Sequence, residues 1–194
     1  MPIHIALLRA VNVGGTAKLP MSGLRAACEA AGLRNVETYI ASGNLVFESA
    51  LDAAGAEHVV AGVLRDAFGL TKNHALVRTA DEVAAAMSGN PFEDAARERP
   101  NWLSLYFLSG VAHESAARIV AEYGGPERVS LAGQVSLAGQ ASLAGQVLYV
   151  DFVNGAGRSK ITPAFLDKTL GTPATARNWN TCGKLVAMAR ARGG

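Results

Sequence analysis

Apolar and polar positions along the chain form short runs of two kinds, separated by clusters of Gly, Pro, Asn and Ser. Residues 3–11 are a nearly continuous apolar run, the pattern of a central strand. A loop over residues 12–18 follows. Pro20 then suits the first turn of a helix in which Leu24, Ala27, Cys28 and Ala31 form an apolar face before Gly32 stops it. Two short strands, 36–41 and 45–48, flank Ser42-Gly43-Asn44, which reads as a hairpin turn. Asp52 is placed to cap a helix whose buried face includes Ala56, Val59, Val60, Val63, Leu64 and Phe68, with Gly69 at its end. Residues 74–78 make a further strand. The order to this point is β-α-β-β-α-β, the ferredoxin-like arrangement, with two helices on one face of a single sheet.

The second half repeats much of this pattern. A short helix over 80–87 leads to Asn90-Pro91-Phe92 and an acidic-basic loop through Arg99. A strand over 102–109 precedes a helix over 114–123, closed by Gly124-Gly125-Pro126. Strand-like segments follow near Arg128 and over 147–153. Thr162 caps and Pro163 opens a helix to Leu170, and a last helix covers 181–191. The reading is α+β with antiparallel-rich sheets. It has two ferredoxin-like halves, 1–79 and 80–194, the second being β-α-β-β-α with a final helix where a fourth strand is expected.

Composition narrows the class. A chain of 194 residues with 49% hydrophobic and 18% charged residues is not a disordered tail, a collagen or a disulfide scaffold. At this length about 70% of the unfolded surface is buried on folding, so neither a disulfide nor a metal is needed. The two cysteines, Cys28 and Cys182, are far apart and form no CxxC, which suits a reducing compartment. The first apolar run is too short for a signal peptide. The charge-free stretch 129–150 is long enough to span a bilayer, but its three Ser, three Gln and three Gly are too polar for one. The expectation is a cytoplasmic protein without a membrane partner. Within that stretch, 129–134 recur as 135–140 and, with one change, as 141–146, which reads as repeat expansion inside a surface turn.

Net charge, formally +2, conceals a gradient. Residues 155–194 hold seven basic groups against the single acid Asp167. A basic C-terminal fifth on an acidic body suggests an anion-facing surface. Two loops add to this. Asn12-Val13-Gly14-Gly15-Thr16-Ala17-Lys18-Leu19-Pro20 aligns with residues 154–163 so that Asn, Gly, Lys, an aliphatic residue and Pro coincide. Each loop follows a strand and feeds a helix, so glycines can turn backbone N–H groups toward an anion beside a mobile lysine. Gly157-Arg158-Ser159 is not the end of a P-loop, because Phe152 stands where the earlier glycine is required.

The other dense patch is Arg177-Asn178-Trp179-Asn180-Thr181, whose amides, guanidinium and indole suit a flat ring with polar edges. The same residues equally suit helix capping and core packing, and the loops equally suit tight turns with solvated lysines. His4, His58, His74 and His113 are scattered without ligand spacing, and neither GxSxG nor GxGxxG occurs. The pairs Glu93-Asp94 and Asp81-Glu82 read as solvated caps.

Taken in order, Leu8-Arg9-Ala10-Val11-Asn12-Val13-Gly14-Gly15, Tyr39-Ile40-Ala41-Ser42-Gly43-Asn44, Asn90-Pro91-Phe92, Gly157-Arg158-Ser159-Lys160 and Arg177-Asn178-Trp179-Asn180-Thr181 resemble domain-of-unknown-function family 1697. The resemblance implies small bacterial proteins with a duplicated ferredoxin-like α+β fold and no established activity. Ala41 stands where that family usually has Gln, and the repeats lengthen a connection that is normally short.

The expected function is binding of a phosphorylated ligand: a nucleotide, a phosphate-bearing metabolite or a nucleic acid. The candidate ligand set is Asn12, Gly14, Gly15 and Lys18 on the first loop, and Ser42 and Asn44 on the hairpin turn. Gly157, Arg158, Ser159 and Lys160 on the second loop join them, with Arg177, Asn178, Trp179 and Asn180 for the planar part. No cofactor or metal is expected. Two alternatives stay open. One is an enzyme on a small phosphorylated or carboxylated metabolite, with Lys18 or Lys160 as its working group. The other is an interaction module docking an acidic partner on the basic C-terminal helix.

Overall fold

The computed structural model of the chain describes residues 1–12, 18–132 and 147–193, and the backbone alone of Arg158. Most of the repeat, and Gly14 and Gly15 of the candidate ligand set, therefore lie outside the described residues. The chain divides into two units, Met1–Asp81 with Lys184–Gly194, and Glu82–Gly183.

In the first unit β1 (Ile3–Leu8), α1 (Met21–Ala30), β2 (Arg34–Tyr39), β3 (Asn44–Glu48), α2 (Ala53–Phe68) and β4 (Ala75–Thr79) follow in the order the pattern predicts. The sheet runs β2-β3-β1-β4 and every pair is antiparallel. The continuous apolar run thus becomes an interior strand whose six residues are all buried. Alternation does the rest. Ala6 and Leu8, Leu45 and Phe47, and Ala75 and Val77 share a core with Leu24 and Cys28 of α1 and Val60 and Leu64 of α2.

Local chemistry ends the helices as expected. The Asp52 carboxylate accepts the Gly55 N–H at 2.8 Å, and Gly69 closes α2 at φ 67°. Asp52→Ala is predicted to cost about 1 kcal/mol, read as a lower urea midpoint with an unchanged slope. An unchanged midpoint would show that the cap contributes nothing.

The second unit contains α4 (Glu93–Glu98), β5 (Leu103–Leu108), α5 (Ala116–Ala121), β6 (Arg128–Ala132), β7 (Val147–Asp151), α6 (Pro163–Leu170) and β8 (Ala174–Asn178). Its sheet runs β6-β7-β5-β8, again wholly antiparallel. Leu108, Leu148 and Val150 pack with Ala116 of α5 and Leu166 and Leu170 of α6. Thr162 accepts the Phe165 N–H, Pro163 opens α6, and Gly171 closes it at φ 65°. The units meet in sequence within α3 (Ala80–Ser88) and α7 (Trp179–Arg190).

Two expectations are corrected. The second half does have its fourth strand. β8 buries Thr175 and Arg177, so its inward face carries a hydroxyl and a guanidinium rather than apolar residues, and apolar alternation did not reveal it. The segment after Asn90 is helical as α4, with Glu93 and Asp94 in its first turn, where the helix dipole favours them. No helix among the described residues is long and apolar enough to cross a membrane.

Candidate functional site

The two glycine–lysine loops occupy corners that do not correspond. The first follows β1, the opening strand of its unit, whereas the second follows β7, the third strand of its own. The counterpart of the β1–α1 corner in the second unit is the segment 109–115 between β5 and α5. Their shared Asn, Gly, Lys and Pro reflect what any strand-to-helix corner needs: a turn former, a solvated cation and a helix starter.

In the first loop Asn12 is a staple. Its Nδ2 donates to Leu19 O at 2.9 Å and Ala41 O at 2.8 Å, and its Oδ1 accepts the Leu19 N–H at 2.8 Å. The amide is therefore engaged on both sides. Lys18 is exposed. Asn44, expected in the turn, is instead the first residue of β3; it is fully buried, and its Nδ2 donates to Tyr39 O and Ser42 Oγ, so it holds the turn from the strand.

The second loop leaves β7 abruptly. The Gly155 N–H donates to Phe152 O at 2.7 Å and Gly155 adopts φ 80°, which favours glycine. Gly157 is exposed, and a Cβ there would meet nothing within 4 Å, so its peptide lies open on one side. Lys160 is exposed. Beneath it lies Glu127, a buried carboxylate that accepts the Tyr123 hydroxyl at 2.5 Å. Burial alone would raise the Glu127 pKa. Hydrogen bonds from Ser159 and Tyr123 and the nearby Lys160 charge outweigh it and hold the carboxyl below its usual range. Burial, then Glu127, pushes the Tyr123 hydroxyl up to about 12. The Ser159 hydroxyl also accepts the Ile161 N–H, so it braces the corner from within.

The β8–α7 patch separates into buried and exposed parts. Arg177 lies buried on β8, its Nη1 donating to Thr175 Oγ1 and Ala176 O, and burial lowers its pKa to about 10. It is not part of the exposed patch. Asn178 caps α7, its Oδ1 accepting the Thr181 N–H at 2.9 Å, which is why the helix starts earlier than expected. Trp179 is half-buried and Asn180 exposed. Asn101 Oδ1 accepts from Asn180 Nδ2 at 2.9 Å and lies 3.5 Å from Asn178 Nδ2. Next to Asn101 is Trp102, 45% exposed.

A charged network that no motif announced lies at the same sheet end. Asp151, fully buried, accepts from Arg99 Nε and Nη2 at 3.0 and 2.6 Å and from Arg128 Nε at 2.8 Å. Asp94 bridges the same guanidiniums, and Arg128 stacks 4.8 Å over the Phe92 ring. The reading of Glu93-Asp94 as a solvated pair is corrected for Asp94. Both cysteines are buried, and burial raises both thiols to about 12, which keeps them neutral. Among the described residues no group of His, Cys, Asp or Glu is assembled to hold a metal.

Register unites these pieces. Leu103 and Arg128 each pair with Asp151, and Ser104 pairs with Asn178, so β5 begins where β7 and β8 end. The β7–α6 corner and the β8–α7 patch therefore emerge at one end of one sheet. They are two strand spacings apart, about 10 Å, with Trp102 in the turn that leads into β5, the strand between. Sequence reasoning missed Trp102, Asn101, Glu127 and the Asp151 network, because their significance is created by pairing across the sheet.

Two four-stranded antiparallel sheets with their helices define an α+β protein with a polar, lysine-bearing end on its second sheet. Residues 1–136 match the family described as "Protein of unknown function (DUF1697)", and the chain belongs to that family. Among solved structures it is similar to a conserved bacterial protein, SP0830 from Streptococcus pneumoniae. The TM-score is 0.68 at 20% identity, over 98% of this chain and 99% of that one. At that identity the likeness is one of fold. No curated protein matches the chain.

Proposed function

We propose that the second unit binds a nucleotide at this end of its sheet. The β7–α6 corner would take the phosphate, and Trp102 with the Asn101–Asn178–Asn180 amides would take the base. The observation that carries the reading is the strand register, which brings an exposed glycine–lysine corner and an exposed indole flanked by amides to adjacent strand ends. Gly157 leaves the backbone open to a close approach, and Lys160 supplies a mobile charge. The strand order of each unit also supports the ferredoxin-like reading of both halves.

Charge favours a nucleotide over a nucleic-acid strand. Arg99 and Arg128 are neutralised by Asp94 and Asp151, and Lys160 has Glu127 nearby. Among the described residues at this sheet end few cations remain to contact successive phosphates, whereas strand binders place one cation per contact and lose affinity steeply with salt.

ADP is predicted to raise the unfolding midpoint with concentration, by about 2.7 kcal/mol of added stability at 100 times its dissociation constant. Lys160→Glu should abolish the response and Lys18→Glu should leave it intact. An undiminished response in Lys160→Glu would refute the assignment.

A further inference from the structure

At the opposite end of the second sheet, between the β5–α5 corner and α6, lies a cavity of about 460 Å³. Its size falls within the roughly 300–1,000 Å³ usual for small-molecule sites. Ile119 and Phe165 form its apolar walls, and His113, Ser115, Lys168 and Thr169 supply the polar groups. The two walls are tied together. The His113 N–H donates to Leu170 O at 2.8 Å, and Gly171, at φ 65°, lets the chain fold under His113, where a Cβ would lie 3.4 Å from that of the histidine. The backbone itself thus holds the two walls together.

The histidine has a defined orientation. Its Nδ1 lies 2.8 Å from Ser115 Oγ and accepts the Ser115 N–H at 3.3 Å, which leaves Nε2 as the ring's donor. Lys168, exposed in the last turn of α6, adds one full positive charge. One ammonium and one imidazole N–H beside an aromatic and an aliphatic wall match a single carboxylate on an apolar body.

We propose that this cavity binds a small amphipathic carboxylate, its acid group held by Lys168 and His113 and its apolar body packed on Ile119 and Phe165. The site is separate from the nucleotide site and does not depend on it. Titration of the isotopically labelled full chain with sodium benzoate, followed by NMR, tests it. Expected are saturable shifts at His113, Ser115, Ile119, Lys168 and Gly171, binding of benzyl alcohol at least about tenfold weaker, and a similar loss for Lys168→Gln with an otherwise native spectrum. The proposal is overturned by shifts that never saturate or that centre on residues 155–160. Equal affinity of benzyl alcohol, or undiminished affinity in Lys168→Gln, overturns it too.

Discussion

Asp151→Asn is expected to destabilise the second unit by about 3 kcal/mol, the lower end of the range for removing one partner of a buried ion pair. Asp151 is wholly buried and holds two guanidiniums, so the substitution keeps its volume but leaves two positive charges facing a neutral amide. The cost stays at the lower end because Arg99 and Arg128 retain Asp94 and are 21% and 38% exposed. A fall of that size is a large share of the roughly 5–15 kcal/mol that stabilises a typical domain.

The network also sets an acid limit. Burial would raise the Asp151 pKa, but the hydrogen bonds and charges of Arg99 and Arg128 overcome it and hold the carboxyl below its usual value. Asp94 is held down in the same sense, chiefly by Arg128. A carboxylate with a depressed folded pKa stabilises the native state fully above its unfolded value, about 3.9, and loses that contribution as pH falls through the folded value. Stability should therefore drop on acidification below about pH 4, and Asp151→Asn should flatten that limb. Parallel acid limbs in the two proteins would remove Asp151 from the network's energetics.

Gly43→Ala is expected to be as damaging in the first unit. Gly43 has φ 79°, and a Cβ there would lie 2.4 Å from Val11 Cγ2 and 2.8 Å from Leu8 Cβ. The left-handed conformation costs an alanine about 1–2 kcal/mol, and overpacking adds about 1–3 kcal/mol. A total of about 2–5 kcal/mol should appear as a lowered denaturant midpoint. A variant within about 0.5 kcal/mol of wild type, the usual range for surface changes, would show that the turn relaxes freely. The Ser42-Gly43-Asn44 motif thus acts through shape. Its asparagine is buried in the hairpin and its glycine admits Val11 and Leu8.

Where local chemistry decides structure, the chain was readable. The run 3–11 announced an interior strand, Asp52 and Thr162 announced helix starts, and Gly69 announced a helix end. Reading failed where tertiary pairing overrides local pattern. β8 carries a buried guanidinium on its inward face, so no apolar alternation marked it. Asp94 looked solvated until Arg99 and Arg128 reached it from a helix end and a strand. For the site, the Gly157–Lys160 corner and the Asn178–Asn180 amides were legible as polar, exposed clusters. Their common sheet end was not, because it follows from pairing residues far apart in sequence, Leu103 with Asp151 and Ser104 with Asn178.

The central claim, that one end of the second sheet holds phosphate and base together, is tested most directly by tryptophan emission during ADP titration. A base stacked on the exposed Trp102 indole should quench it saturably. Trp102→Phe should lose that quench while keeping an ADP-dependent rise in unfolding midpoint, because stacking is only part of the binding and Phe keeps a ring face. A Trp102 emission, isolated in Trp179→Phe, that is indifferent to ADP at saturating concentration would contradict the account.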